Sequence, residues 1–405
     1  MVEDRREASR EDLSNMNRMK KPPRERTTVR RSAEVKTASL SKIRDVYVYE
    51  GLTTSSSTRF LMIKNGDYND PIECTMVQNS PRHKQCRYMA LSYVWGNSRK
   101  TKLIFVNGRK LLVTETLYNV LLEIRSIHDE STPNGHMYCG IYWWIDAICI
   151  DQQNLKERGH QVAMMRDIYR SARKVVAWLG FGCSCKDIPS RDYWWRVWIT
   201  QEVVVNKNVE FLGTDDKKNL VRFSWDDYEV LTGFKPMART QLSPWLHLLP
   251  QRVQPWRKSG RYPEADRQLC ILKAQYQRAD KDTESVDNAN MPLISLKRAL
   301  EVTHHRQSSD PRDKIFAVLG MIQQGRGKDI VPDYTSSACS VYCSAIRAMH
   351  ADLMWEKDYA NSWWLHEGRI KIEQCRHRPF NEENTDRDDC DGLTCGAKML
   401  HHVKS

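Results

Sequence analysis

Side chains that could contact a ligand stand close together in the segment YWWIDAICIDQ, from Tyr142 to Gln152. Its aromatic and β-branched residues predict a strand from Tyr142 to Ile150 that contains Asp146 and is covered on both faces. Asp151 and Gln152 then fall at the carboxyl edge of this strand, where open α/β sheets bind their ligands. The alternative is structural: Asp151 would cap the next helix, and Asp146 would pair with an arginine.

The helix predicted to follow, from Leu155 to Ala172, brings a cationic side chain to the same edge. Arg158 and Gln161 are three residues apart, so both would face the crevice. The free N–H groups at the start of a helix also favour anions. The alternative for Arg158 is an ordinary ion pair at the protein surface.

Arg196 and Glu202 belong to a third stretch, RVWITQEV, within a helix predicted from Tyr193 to Val205. In a helix they are about one and a half turns apart and do not share one face. The alternative to a ligand site is a buried arginine–carboxylate network that holds the helix to the sheet. Trp95, which ends an earlier strand, is either a core residue or a platform for a ligand ring.

The elements that position these residues alternate between strand and helix. In chain order we predict a strand at 88–95, a hairpin at 103–113, a helix at 117–124, a strand at 142–150, a helix at 155–172, a strand at 174–179 and a short strand at 209–212. Asn107-Gly108 is the turn signal of the hairpin. This order predicts an α/β layer structure with a mostly parallel sheet flanked by helices.

The chain divides into five predicted parts. We predict a disordered basic arm at 1–44, the α/β domain at 45–213, an irregular connecting region at 214–290, a helical C-terminal part at 291–350 and a divergent tail at 351–405. In the helical part, SSDPRDKIFAVLGM predicts a helix capped by Asp310 that ends at Gly320, and a further helix is expected from Ser336 to Met349.

Three blocks in a fixed order carry a resemblance to a known family. They are YMALSYVWG, YWWIDAICIDQQNLKERGHQVAMMRDIYRSARKVVAWLG and RVWITQEV. Together they resemble the fungal heterokaryon-incompatibility (HET) domain family. SSDPRDKIFAVLGM and VPDYTSS are similar to segments that often follow the domain in that family. The segment between the second and third blocks is shorter than in most members.

The resemblance implies a role in fungal self/non-self recognition and programmed cell death. The protein would act as a signalling or effector module, through a protein partner or through self-association. The family is also thought to be remotely similar to Toll/interleukin-receptor-like domains, some of which cleave the nicotinamide–ribose bond of NAD. NAD is therefore a candidate substrate, and no cofactor is required.

Cleavage of that bond leaves an oxocarbenium-like sugar that a nearby carboxylate stabilises. By this analogy Glu202 is the first candidate for the catalytic carboxylate, with Asp146 and Asp151 as alternatives. The candidate binding residues are Trp95, Gln152, Arg158 and Arg196. Trp95 would stack on a base, and either arginine would hold the pyrophosphate through a bidentate fork.

Composition separates the remaining classes of function. The formal net charge of +12 would suit a nucleic-acid partner, but the basic residues are scattered, so nucleic-acid binding is the least favoured alternative. The longest apolar run, Tyr142 to Ile150, is far too short to span a bilayer, and no secretory signal begins the chain. We therefore expect a cytoplasmic protein, or a nuclear one if the basic clusters between Lys20 and Arg31 act as a signal. The cysteines are expected to be free thiols, and we predict no metal site.

Overall fold

The computed structural model describes residues 45–83, 87–127, 138–183, 188, 191–232, 234, 263–282, 294–322 and 330–356. Contacts divide the chain into a unit at Met1–Val46 and a unit at Tyr47–Ser405. Of the first unit only Asp45 and Val46 are described, so the predicted basic arm and its nuclear signal lie outside the described residues. The predicted tail is described only as far as residue 356.

A nine-stranded mixed sheet lies at the centre of the second unit, in the order β5-β4-β2-β1-β6-β3-β7-β8-β9. The strands are β1 (Thr58–Ile63), β2 (Glu73–Asn79), β3 (Tyr88–Tyr93), β4 (Lys100–Val106), β5 (Arg109–Thr114), β6 (Tyr142–Trp144), β7 (Lys174–Trp178), β8 (Val209–Thr214) and β9 (Leu220–Ser224). The predicted hairpin is confirmed: Asn107 and Gly108 join β4 to β5, and both have positive φ angles, as such turns require.

The middle of the sheet is parallel. Strands β6, β3, β7 and β8 pair in parallel, and every residue of β3 and β8 is buried, as expected for strands covered on both faces. The later strands β6 and β7 lie on opposite sides of β3, so the strand order reverses at β3. The predicted α/β class is confirmed, although the outer pairs β1–β2, β4–β5 and β8–β9 are antiparallel.

Nine α-helices occur in the described part of the chain. They are α1 (Glu115–Ser126), α2 (Asp146–Cys149), α3 (Leu155–Ser171), α4 (Ile199–Val204), α5 (Trp225–Leu231), α6 (Pro263–Asp282), α7 (Leu296–Thr303), α8 (Asp313–Leu319) and α9 (Ala338–Glu356). Helix α1 packs on β4 and β5, whereas α7 contacts α6, α8 and α9, and α4 contacts α3, α6 and α8. The described helices are all too short or too polar to cross a membrane.

The predicted strand from Tyr142 to Ile150 is wrong in its second half. Strand β6 stops at Trp144, and residues Asp146–Cys149 form the single helical turn α2. The Cys149 N–H donates to the carbonyl oxygen of Ile145, which closes this turn. The apolar run is buried whether it is strand or helix, so burial alone does not separate the two conformations.

The predicted helix from Tyr193 to Val205 is interrupted. A 3₁₀ helix covers Asp192–Trp195, the chain is extended at Arg196, and α4 starts only at Ile199. An isolated parallel bridge between Arg196 and Gln307 accompanies this break. Arg196 is therefore free to turn back towards Glu202, which a continuous helix would not allow.

The C-terminal half is more regular than its sequence indicates. Within the region predicted to be irregular, β9 extends the sheet, and α5 begins with a capping box between Ser224 and Asp227. Helix α8 starts at Asp313 with Arg312 in the N-cap position, so the prediction of Asp310 as the cap is wrong. The Asp310 carboxylate instead accepts hydrogen bonds from the backbone and the side chain of Arg312.

Strands β1 and β2 were not predicted, and Arg59 illustrates the reason. This arginine interrupts the apolar pattern of β1, yet it is only 1% exposed. Its guanidinium group pairs with Glu157 of α3 at 2.5 Å and donates to the backbone carbonyls of Cys149 and Glu50. A buried ion pair thus occupies a position that the sequence pattern would assign to the surface.

Candidate functional site

A cavity of about 520 Å³ opens at the carboxyl ends of the parallel strands β3 and β6. Residues 94–96, directly after β3, form part of its lining together with Asp146, directly after β6. Helix α3 and the segment before α4 add further walls, and residues 307–310, Asp313 and Tyr334 complete the lining. The cavity therefore lies where the strand order of an α/β sheet reverses, which is the expected position of a ligand crevice.

Most of the residues predicted as candidates lie together in this cavity. Those on its lining are Trp95, Asp146, Gln152, Arg158 and Arg196. Glu202 does not line it but lies completely buried behind Arg196. Asp151 also lies off the lining, and its carboxylate accepts the backbone N–H of Gln153.

Two hydrogen-bond donors hold the Asp146 carboxylate near the carboxyl end of β6. The indole Nε1 of Trp95 donates to its Oδ2 at 2.9 Å, and the N–H of Ala147 donates to its Oδ1 at 2.7 Å. Burial raises the pKa of Asp146 to about 6, and the charge of Arg196 opposes this rise while that of Glu202 adds to it. Gln152 fixes the same turn, because its side-chain amide donates to the backbone carbonyl of Asp146 at 2.8 Å.

A buried polar network lies beneath the cavity. The guanidinium group of Arg196 lies 3.3 and 3.4 Å from the two carboxylate oxygens of Glu202. The Ser92 hydroxyl of β3 also donates to Glu202, and it lies 2.8 Å from the hydroxyl of Tyr193. Burial alone would lower the pKa of Arg196, but the negative charges of Glu202 and Asp146 outweigh burial and raise the pKa above its ordinary value. Arg196 is therefore cationic. The predicted structural alternative, an arginine–carboxylate network, is thus present.

Arg158 reaches across the cavity to the C-terminal part. Its guanidinium carbon lies 3.6 Å from the centre of the Tyr334 ring, and its Nη2 lies 3.7 Å from Oδ2 of Asp310. Gln161, expected to share the crevice, is instead completely buried and binds Thr58 and Ser57. The cap of α3 is Asn154, which excludes the helix-capping alternative for Asp151.

Asp313 is a second buried carboxyl group on the lining that the sequence did not single out. The hydroxyl of Tyr334 donates to its Oδ1 at 2.7 Å, and the indole of Trp198 donates to the same carboxyl group. Burial raises the pKa of Asp313, and these two hydrogen bonds oppose the rise. The only available signal was the pair of segments SSDPRDKIFAVLGM and VPDYTSS, which supply Asp313 and Tyr334.

No group of three or more histidine, cysteine, aspartate or glutamate side chains suited to a metal ion occurs within the described ranges. Among the described cysteines, Cys74, Cys139 and Cys149 are free thiols. The charged and aromatic groups on the cavity lining are carboxylates, guanidinium groups, indoles and the phenol of Tyr334. Such a lining can bind a charged, ring-containing molecule and can stabilise charge that develops on it.

The fold and the cavity define an α/β protein whose ligand crevice is shared between the sheet edge and a C-terminal helical part. Residues 88–187 match the family described as heterokaryon incompatibility protein (HET). The predicted resemblance is therefore confirmed over this segment, which supplies the lining from β3, β6 and α3. Arg196 and the C-terminal residues of the lining fall outside it.

A curated relative is similar over part of the same region. The chain is 37% identical over 121 residues to heterokaryon incompatibility protein 6, OR allele, of Neurospora crassa. The similarity covers 28% of this chain and 17% of that relative. No solved structure matches the chain, so the remote similarity to Toll/interleukin-receptor-like domains stays a prediction.

Proposed function

We propose that this protein acts in fungal heterokaryon incompatibility, in self/non-self recognition that leads to programmed cell death. The observation that carries this proposal is the match of residues 88–187 to the HET family, supported by the similarity to the Neurospora crassa relative. The cavity supports a role for this segment in ligand binding, because the matched residues supply much of its lining. The protein would act in the cytoplasm or the nucleus.

The second candidate function is cleavage of NAD in the same cavity. It is favoured by the position of Trp95, Asp146, Gln152, Arg158 and Arg196 on one lining. In this proposal Asp146 replaces Glu202 as the first candidate for the catalytic carboxylate. Asp146 lines the cavity, whereas both oxygens of the buried Glu202 already accept hydrogen bonds, and Asp151 lies off the lining.

These two roles make different demands on the cavity. A signalling module transmits recognition through contacts with another protein, and this role does not change the amount of NAD in the cell. An NAD-cleaving effector must orient the nicotinamide–ribose bond beside Asp146, with Arg158 or Arg196 near the pyrophosphate. The arginines would then exchange part of their contact with Asp310 or Glu202 for the phosphate oxygens.

Induced expression of the full chain in a fungal host tests both roles. We expect the wild type to reduce viability, and we expect Asp146→Asn to relieve that effect if the cavity is required. Asn keeps an acceptor for the Trp95 indole and removes the charge. Asp216→Asn, a change of an exposed carboxylate outside the cavity, is the matched control and should behave as the wild type.

Cellular NAD, measured in the same cultures, separates the candidates. Loss of viability together with a fall in NAD, both relieved by Asp146→Asn, would support the enzyme. Loss of viability at constant NAD would support the signalling module. A wild-type protein that leaves viability unchanged would contradict the proposed role in incompatibility.

The proposed protein partner or self-association has a candidate surface on the edge hairpin β4–β5. Leu103 and Leu112 are paired across this hairpin and are 39% and 50% exposed. An edge strand with exposed apolar side chains is a template for pairing with another chain. Light scattering should show whether the protein self-associates, and Leu112→Lys should then reduce the molar mass. An unchanged mass in that variant would exclude this hairpin as the interface.

A further inference from the structure

The cavity carries an excess of negative charge, although the chain as a whole has a formal net charge of +12. Two arginines of the lining face four aspartates: Arg158 and Arg196 against Asp146, Asp192, Asp310 and Asp313. Arg196 pairs with Glu202, and Asp310 pairs with Arg312 at 2.8 Å and lies 3.7 Å from Arg158, so with these neighbours three arginines stand against five carboxylates. The balance of formal charge at the cavity is therefore negative.

Of the three lining aspartates that form no ion pair in the described part of the chain, Asp192 is exposed, whereas Asp146 and Asp313 are buried. Each is more than nine-tenths buried, and neither forms an ion pair within the described part of the chain. Each accepts a hydrogen bond from an indole N–H, from Trp95 in one case and from Trp198 in the other. Burying a carboxylate without a neutralising partner is costly, and groups of this kind are concentrated at functional sites.

A third polar group near the cavity also lacks a partner. The hydroxyl of Tyr93 is completely buried, and it has no hydrogen-bond partner among the residues that the structure describes. The charges of Asp146, Arg196 and Glu202 act on it, but Tyr93 is not itself on the cavity lining. A buried hydroxyl without a partner is uncommon in proteins.

We infer that the cavity binds a small organic cation with a planar aromatic ring. Asp146 and Asp313 would neutralise its charge, and the indole rings of Trp95 and Trp198 on the lining would contact the ring and its positive charge. The inference rests on the cavity being the ligand site proposed above. If the ligand is NAD, Asp146 and Asp313 would bind its nicotinamide ring, which carries the positive charge of that molecule.

Three probes that share the same ring but differ in charge test this inference. We would titrate 1-methylnicotinamide, nicotinamide and nicotinate, which are cationic, neutral and anionic, into the full chain and measure heats of binding. We expect the cation to bind at least about tenfold more tightly than the neutral ring, a difference of about 1.4 kcal/mol, and the anion to bind most weakly. Equal or tighter binding of the neutral or anionic probe would overturn the inference, and so would the absence of binding by all three.

Two variants test whether Asp146 and Asp313 cause the preference for the cation, and a third variant serves as the control. Asp146→Asn and Asp313→Asn should each reduce the preference for the cation, whereas Asp216→Asn should retain it. Thermal melting of each variant checks that it is folded, and the wild-type probe series decides the question even if one variant fails to fold. A preference that survives in both folded variants would contradict the assignment.

Failure of this inference is distinguishable from failure of the proposed function. If expression reduces viability but the cation has no advantage over the neutral probe, only the ligand class is wrong. If the cation binds with the expected preference but expression leaves viability and NAD unchanged, the cavity is a cation site and the proposed function is wrong.

Discussion

The guanidinium group of Arg196 lies against the carboxylate of Glu202, with N–O distances of 3.3 and 3.4 Å, and Glu202 is 0% exposed. The Ser92 hydroxyl of β3 donates to the same carboxylate. One buried ion pair thus joins the central strand, helix α4 and the segment that precedes α4. It fixes the position of Arg196, which forms part of the cavity lining above it.

Replacing Glu202 by Gln should strongly destabilise the fold. The change leaves the partly exposed Arg196 without its counter-charge and places an uncharged amide in a fully buried position. Loss of one partner of a fully buried pair typically costs about 3–5 kcal/mol, so we expect a loss at or below the lower end of that range. Denaturant unfolding measures the difference in the free energy of unfolding. The control is Glu115→Gln, because Glu115 is an exposed residue whose ion pair with Lys102 is also exposed, and we expect a change within about 0.5 kcal/mol. A Glu202→Gln variant as stable as the wild type would show that the network is not required.

Gly159 should be sensitive to the addition of one methyl group. A β-carbon there would overlap the carbonyl oxygen of Pro332, because α3 packs directly on the segment that carries Tyr334. Within a helix, Gly→Ala normally stabilises by about 1 kcal/mol, so any net destabilisation reports the overlap. We expect a lower melting temperature and faster hydrogen exchange around residues 330–336.

The matched control for Gly159→Ala is Gly51→Ala, because no atom lies within 4 Å of a β-carbon at Gly51. This variant should melt as the wild type does. Unchanged exchange around residues 330–336 in Gly159→Ala would mean that the segment does not depend on its contact with α3.

Lys273 should make stability depend on pH above neutrality. Its ammonium group is buried, donates to the backbone carbonyls of Val203 and Asn206, and lies over the Trp225 ring. Burial lowers its pKa to about 7 from the ordinary 10.5, while the charges of Glu229, Cys270 and Asp226 oppose this shift. Between about pH 7 and pH 10.5 the unfolded chain therefore holds a proton that the folded protein has lost.

By linkage, the contribution of Lys273 to the free energy of unfolding rises as the pH increases through that window. Denaturant unfolding at several pH values should show this rise in the wild type relative to Lys273→Met. Lys217→Met, a change of an exposed lysine, should show no pH-dependent difference from the wild type. If the difference in the free energy of unfolding between the wild type and Lys273→Met does not change with pH, the prediction is contradicted.

Binding of an organic cation should weaken as the pH falls. The pKa of Asp146 is raised to about 6, so its carboxylate is lost by protonation as the pH drops through that value. The affinity for 1-methylnicotinamide should therefore fall between pH 7 and pH 5, while that for nicotinamide should not. The groups whose charges act on or around Asp146 are Tyr93, Cys149, Tyr169, Arg196 and Glu202, and the raised pKa values of Tyr93, Cys149, Tyr169 and Arg196 lie far above this pH window. Asp146→Asn should reduce the pH step, and an undiminished step would exclude Asp146 as its source.

Several features of the site were predictable from local pattern. The alternation of strands and helices placed Trp95 at the carboxyl edge of a parallel sheet, and Trp95 lines the cavity. Arg158 was correctly placed one turn into α3, facing the crevice. These predictions succeeded because each depends on the residues immediately before and after it, which fix the period of the apolar pattern.

Other features were not predictable from such patterns. Asp146 lies on a helical turn instead of a strand, and Arg196 precedes α4 instead of belonging to it. The apolar residues of both segments are mostly buried, so their pattern carries no clear period that would separate strand from helix. Asp313 and Tyr334 lie more than a hundred residues beyond the matched segment, and only chain folding brings them to the cavity.

The sequence by itself determined the family resemblance, the α/β class and which polar residues stand at the ends of the central strands, because these follow from residue types and their spacing. Only the tertiary structure decided which carboxylates meet a ligand. Burial and pairing are properties of contacts between distant segments. These contacts enclose Glu202 with Arg196 and leave Asp146 and Asp313 on the cavity wall without an ion pair in the described part of the chain.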